Sequence, residues 1–166
     1  MTATEALEQL LRSYVQYYDI IREDVTPPFT AEAVFHTHDT QYVLLKSAAI
    51  SEAESHDYVF FATAENMDLA DVTALDETAW NKGTERVKPY SSHRNSDVTL
   101  VLLAEHITPE AMAAIKKFKH YKSYRFGFHG WSNYRVIALE TSSGTLAHNR
   151  LGQSLKKLFR NISNQK

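Results

Sequence analysis

The stretch Val98-Thr-Leu-Val-Leu-Leu-Ala104 decides the fold: six of its seven residues are apolar, and Thr99 is the exception. It has neither the alternation of a half-buried strand nor the three-to-four spacing of a surface helix. A short, continuous apolar run of this kind is a strand covered on both faces, as at the centre of a partly parallel sheet. The segments on either side agree. Upstream, residues 69–85 have helical composition, with Asn66 or Asp68 as cap and a thin apolar face of Leu69, Val72, Asp76 and Ala79. Downstream, Thr108-Pro109-Glu110 supplies a hydroxyl N-cap, a proline in the first turn and an acid beside it. The helix it starts is expected to run to about Lys119, burying Met112, Ile115 and Phe118. Helices before and after the strand imply crossover connections, hence parallel neighbours.

Farther out the pattern changes to hairpins. Thr2 and Glu5 have capping-box spacing, and Leu7, Leu10, Leu11, Tyr14, Tyr18 and Ile21 recur three or four apart, which predicts a first helix ended by Pro27-Pro28. Residues 33–38 and 41–47 flank Asp39-Thr40 as a hairpin, and residues 57–62 form a third short strand. Residues 88–96 have loop composition. Residues 122–129 alternate, with Tyr124, Phe126 and Phe128 on one side; Gly130 turns the chain into a second alternating strand over 132–140. Ser142-Ser143-Gly144 is a turn, and Leu151, Leu155, Leu158 and Phe159 mark a last helix over 150–160. The expected fold is a single α/β domain over residues 1–162 with a loose tail at 163–166. Its sheet is a mixed β-sheet of about six strands with helices packed on it, in the order α-β-β-β-α-β-α-β-β-α.

Composition narrows the chemistry. The 166 residues include no cysteine, so disulfides and thiolate catalysis are excluded. The opening Met-Thr-Ala-Thr-Glu enters directly into an acidic amphipathic pattern, and no run of about 18 apolar residues spans a membrane. A cytoplasmic location follows as an expectation. The net charge of −2 conceals a split: residues 1–85 carry 4 − 16 = −12, and residues 86–166 carry 14 − 4 = +10. Such halves can meet within the fold, between two copies in a homodimer, or with an anionic partner.

The order of a helix, a three-stranded meander, a helix and a further strand, over about residues 4–104, resembles the core of the PD-(D/E)XK nuclease-like superfamily. That resemblance implies an acid on the second strand and an acid-x-Lys on the third, holding magnesium and the attacking water. Here the second strand is Tyr42-Val-Leu-Leu-Lys46 and the third Tyr58-Val-Phe-Phe-Ala62, with Val59 where the lysine after Asp57 would stand. The motif is absent, and the resemblance implies an inactive relative.

Two constellations remain. In His36-Thr-His38-Asp39 the two imidazoles share one side of a strand, so two ring nitrogens could hold one divalent ion, completed by His56 and Asp57 or by Glu105 and His106. The alternative is a pair of half-exposed histidines beside a turn. The second is Lys116-Lys-Phe-Lys-His-Tyr-Lys-Ser-Tyr-Arg-Phe-Gly-Phe-His-Gly-Trp131, five Lys or Arg and no acid among six aromatic rings. Lys116, Lys119, Lys122, Arg125 and Arg135 could neutralise phosphates while exposed rings stack on bases. Alternatively, Tyr124, Phe126 and Phe128 are simply the inward side of a strand. No Gly-rich phosphate loop or nucleophile elbow is present, and no cofactor is expected. Three functions follow in order: a non-catalytic interaction or assembly domain, a nucleic-acid-binding domain, and a metal-dependent hydrolase at His36 and His38.

Overall fold

The computed structural model describes residues 1–36, 54–89 and 93–164. The apolar run 98–104 lies in β4 (His93–Ile107), the middle strand of a seven-stranded mixed sheet. β4 pairs in parallel with β3 (Glu54–Met67) on one side and β6 (Trp131–Glu140) on the other, so Leu100 faces Phe60 and Val136, while Val101 faces Phe61 and Ile137. Both crossovers carry the expected helices: α2 (Leu69–Glu85) between β3 and β4, and α3 (Pro109–Ile115) after β4. Asp68 caps α2 in a capping box with Asp71, and the Thr108 hydroxyl caps α3.

The remaining strands are antiparallel. β1 (Asp19–Ile21) and β2 (Ala31–His36) extend the sheet beyond β3. At the other end, β6 shares its outer edge between β5 (Tyr121–Ser123), paired to residues 131–133, and β7 (Thr145–His148), paired to residues 137–140. Helix α1 (Ala3–Tyr14), with the predicted Thr2–Glu5 capping box, and helix α4 (Lys156–Ser163) cover one side of the sheet. There Leu7, Leu10, Phe159 and Ile162 pack on Phe61, Val101, Leu103 and Ile137. The other side packs Val72, Ala79, Ala111 and Ile115 of α2 and α3 on Phe60, Leu100, Leu102 and Val136. The result is a three-layer α/β/α arrangement, and the alternate side chains of each central strand enter opposite cores.

Four expectations need correction. The first helix stops at Tyr14, and Asp19–Ile21 is an edge strand instead of its last turn. The β-branched and aromatic run after Tyr14 suits a strand, and β2 offers an open ladder for it. The strand expected over 122–129 is only Tyr121–Ser123; it gives way to a 3-10 turn at Arg125–Gly127 that throws Phe126 and Phe128 into solvent. The helix from Thr108 ends at Ile115, short of Lys119. The last helix begins as a 3-10 segment, Leu151–Leu155, leaving Leu151 exposed. The expected hairpin turn Asp39-Thr40 and strand 41–47 lie outside the described residues, and β2 pairs directly with β3.

Candidate nucleic-acid interface and basic cleft

Among the described residues the charge split is bridged inside the fold at three points. Glu32, Asp57 and Asp76, all buried acids of the negative half, each meet a basic partner from the positive half. Arg86 holds Glu32 at 2.7 Å, and Glu32 also accepts the Thr26 backbone N–H at 2.8 Å. Asp57, on β3, accepts hydrogen bonds from the Tyr18 hydroxyl at 2.8 Å and the Thr99 hydroxyl at 2.9 Å, with Arg135 at 4.0 Å. Arg135 pairs closely with Asp97, which Asn133 also approaches at 3.3 Å. Burial pushes the Asp57 carboxyl above its ordinary range, against the opposing pull of Arg135 and the two hydroxyl donors. Burial, followed by the charge of Asp57, pushes up the Tyr18 phenol. Each carboxylate oxygen of Asp57 and Asp97 has a donor, so the network is closed.

Arg135 therefore separates from the other predicted phosphate ligands. It lies on the α1 side of the sheet in this network, whereas Lys116, Lys119, Lys122 and Arg125 are exposed along the β5 edge. Lys117 and Arg150 join those four, and among the described residues none of the six forms an ion pair with a carboxylate. α3 ends with Ile115 buried against the sheet, which leaves the lysines that follow it outside.

Beyond β5 the chain makes a tight turn. The Gly127 and His129 N–H groups both donate to the Tyr124 carbonyl, at 3.0 and 3.1 Å. Tyr124 anchors the turn, buried with its hydroxyl 2.9 Å from that of Ser132. Arg125 and Phe126 take φ of 45° and 54°, the left-handed region, which costs a non-glycine residue roughly 1–2 kcal/mol each. The turn accepts that strain and presents Phe126 and Phe128 at 98% and 83% exposure. Neither the strain nor the two solvent-facing rings stabilise the isolated domain.

Between β5 and β7 the outer edge of β6 is unpaired by strand, and the Asn149 side chain fills the gap. Its Nδ2 donates to the carbonyls of Tyr134 at 3.0 Å and Phe118 at 3.1 Å, while its Oδ1 accepts from the N–H groups of Val136 at 3.2 Å and Gly152 at 2.8 Å. Gly152 comes so close that a Cβ there would lie 2.2 Å from the Val136 carbonyl oxygen. Above this joint opens a cleft of about 610 Å³, lined by Lys116, Lys119, His120, Tyr121, Tyr134 and Arg150 among others. His120 Nε2 is 2.8 Å from the buried Asp76 carboxylate of α2. Trp80 stacks on the imidazole at 5.1 Å and Tyr134 meets it edge-on at 4.8 Å. The Tyr134 hydroxyl approaches Asp76, and burial, then that carboxylate, raises its pKa; yet neither this hydroxyl nor Asp76 Oδ1 has a hydrogen bond of regular geometry.

Of the metal candidates, His36 ends β2 opposite His56 on β3, while His38 and Asp39 lie outside the described residues. His106 stands ten residues along β4 from Ser96, the partner of His56, so about 33 Å of strand separates it from that end. Asp57 is engaged by Tyr18, Thr99 and Arg135. Among the described residues no group of three His, Asp or Glu side chains is placed to hold a metal ion. No helix among them is long and apolar enough to cross a membrane.

A mixed-sheet α/β domain with one closed charge network and one open basic edge is the class that fold and site define. The chain belongs to a protein family described as a domain of unknown function (DUF8052), whose model matches residues 2–161. No curated protein and no solved structure matches it.

Proposed function

We propose that this domain binds single-stranded nucleic acid along its β5 edge, with Phe126 and Phe128 as stacking platforms and Lys116, Lys119, Lys122 and Arg125 on the phosphates. The observation that carries this reading is the pair of solvent-facing phenyl rings on a strained turn amid cations that have no described carboxylate partner. Stacking on an aromatic ring contributes about 1–3 kcal/mol per base and tolerates any sequence. The β5 backbone is an outer edge of the sheet, so the strand has open access along it. Arg135, held in its own network, does not take part.

Fluorescence anisotropy of a labelled 12-nucleotide single strand, titrated across a salt series, tests the reading. Four phosphate contacts at about −0.7 each give a log–log salt slope near −3. Phe126→Ala with Phe128→Ala is expected to weaken binding by at least tenfold without changing that slope. Absent binding at low salt, or binding indifferent to the two phenylalanines, contradicts it. A second copy covering the same edge would instead appear as a dimer in sedimentation at low salt.

A further inference from the structure

The basic cleft shares Lys116 and Lys119 with the β5 edge but adds His120, Tyr121, Tyr134 and Arg150, and its features point to a ligand of their own. About 610 Å³ lies within the range of small-molecule sites. Its wall includes Lys116, Lys117, Lys119 and Arg150 and no Asp or Glu. A half-open cleft with several cations and no acid among its lining residues favours a ligand carrying more than one negative charge. Its histidine is held in place. Asp76 accepts a hydrogen from Nε2, which fixes that edge of the ring on α2. The imidazole plane is fixed by the Trp80 stack, with 12° between the rings, and by the edge of Tyr134, so binding there orders no loose side chain. Tyr121, 60% exposed, gives the same cleft an aromatic wall.

We propose that this cleft is a binding site for a phosphate monoester of nucleotide size. Lys116, Lys119 and Arg150 receive the phosphate, the fixed His120 imidazole lies beside it, and the Tyr121 ring flanks the organic part. A monoester dianion offers three terminal oxygens to these groups, whereas a phosphodiester within a strand offers two and one charge. The ligand is either a free mononucleotide or the phosphorylated end of a strand lying along β5. The proposal does not rest on the stacking role of Phe126 and Phe128.

The protein supplies its own reporter, because Trp80 lies against His120 and the only other tryptophan is Trp131. In Trp131→Phe protein, adenosine 5′-monophosphate is expected to change Trp80 emission saturably, whereas adenosine leaves it unchanged. Lys119→Glu and Arg150→Glu, both on exposed positions, are each expected to weaken the response by about tenfold or more, the effect of losing a charge-assisted contact. Competition by a 5′-phosphorylated 12-mer that is markedly stronger than that of its 5′-hydroxyl counterpart, whose phosphodiesters reach only Lys116 and Lys119, identifies a strand end as the source. Failure of both oligonucleotides to compete identifies the free nucleotide; either result upholds the site. No response to the monophosphate, an equal response to adenosine, equal competition by the two oligonucleotides, or a response that survives the combined Lys119→Glu and Arg150→Glu change overturns it. The anisotropy experiment scores Phe126 and Phe128, and this one scores the cleft, so failure of one reading is distinguishable from failure of the other.

Discussion

Two charged regions border the same strand, β6, and they are built in opposite ways. On the α1 side, Asp57, Asp97 and Arg135 satisfy one another and their hydroxyl and amide neighbours. At the outer edge, Lys116, Lys119, Lys122, Arg125 and Arg150 face water with no described carboxylate partner, beside two phenyl rings that cover nothing. Charges that are closed on themselves hold a fold; charges left open are available to a partner. Sequence position alone does not tell the two kinds apart, since Arg135 and Arg125 are ten residues apart in the same basic half.

The comparison can be broken first where the closed network is deepest. Arg135→Ala leaves two carboxylates in the sheet without their cation and is expected to cost about 3–5 kcal/mol in urea unfolding. A loss under about 1 kcal/mol would show that the network is not what stabilises this side. Asn149→Ala strips four backbone groups of their partner at the β6 edge and is expected to cost about 2–3 kcal/mol, with loss of the Trp80 response because the cleft floor loosens. An unchanged midpoint would mean that water replaces the amide freely.

A pH series sharpens the picture of Asp57. Its folded pKa is raised, so the folded state holds this proton more tightly than the unfolded chain does. That contribution is fully present below the ordinary carboxylate range near about pH 4 and is lost as pH rises through the elevated folded value. Wild-type stability relative to Asp57→Asn is therefore expected to fall from acid toward neutral pH; a rise would reverse the assignment. Smallest of all, Phe126→Ala with Phe128→Ala is expected to leave stability within about 0.5 kcal/mol, since the rings are solvated in the free domain. A loss of several kcal/mol would mean that the turn belongs to the core.

Much of the scaffold was legible in the residues. The largely apolar run at 98–104, the caps at Thr2 and Thr108 and the turn at 142–144 are local signals that stand where they were expected, and of the two caps open for α2, Asn66 and Asp68, it is Asp68 that serves. The aromatic turn was not legible, because Tyr124, Phe126 and Phe128 alternate as an inward strand side would. Two left-handed residues, Arg125 and Phe126, break that register, and neither is a residue type that announces such a conformation. The Asp76–His120 pair escaped as well, yet a signal existed. Asp76 occupies the buried side of α2 with Val72, Ala79 and Gly83, and an acid there requires a partner. That the partner is His120, 44 residues away, depends on β6 and α3 placing it, which no local pattern encodes.

The most direct test is an amide chemical-shift map of the intact chain on addition of an unlabelled 12-nucleotide single strand. The expected result is a set of perturbed amides confined to residues 116–131 and the neighbouring Arg150, with β1, β2 and the Asp57–Arg135 side of the sheet silent. Perturbations gathered at the β1–β2 edge, or none at all at low salt, would contradict the assignment of the open basic edge as the binding surface.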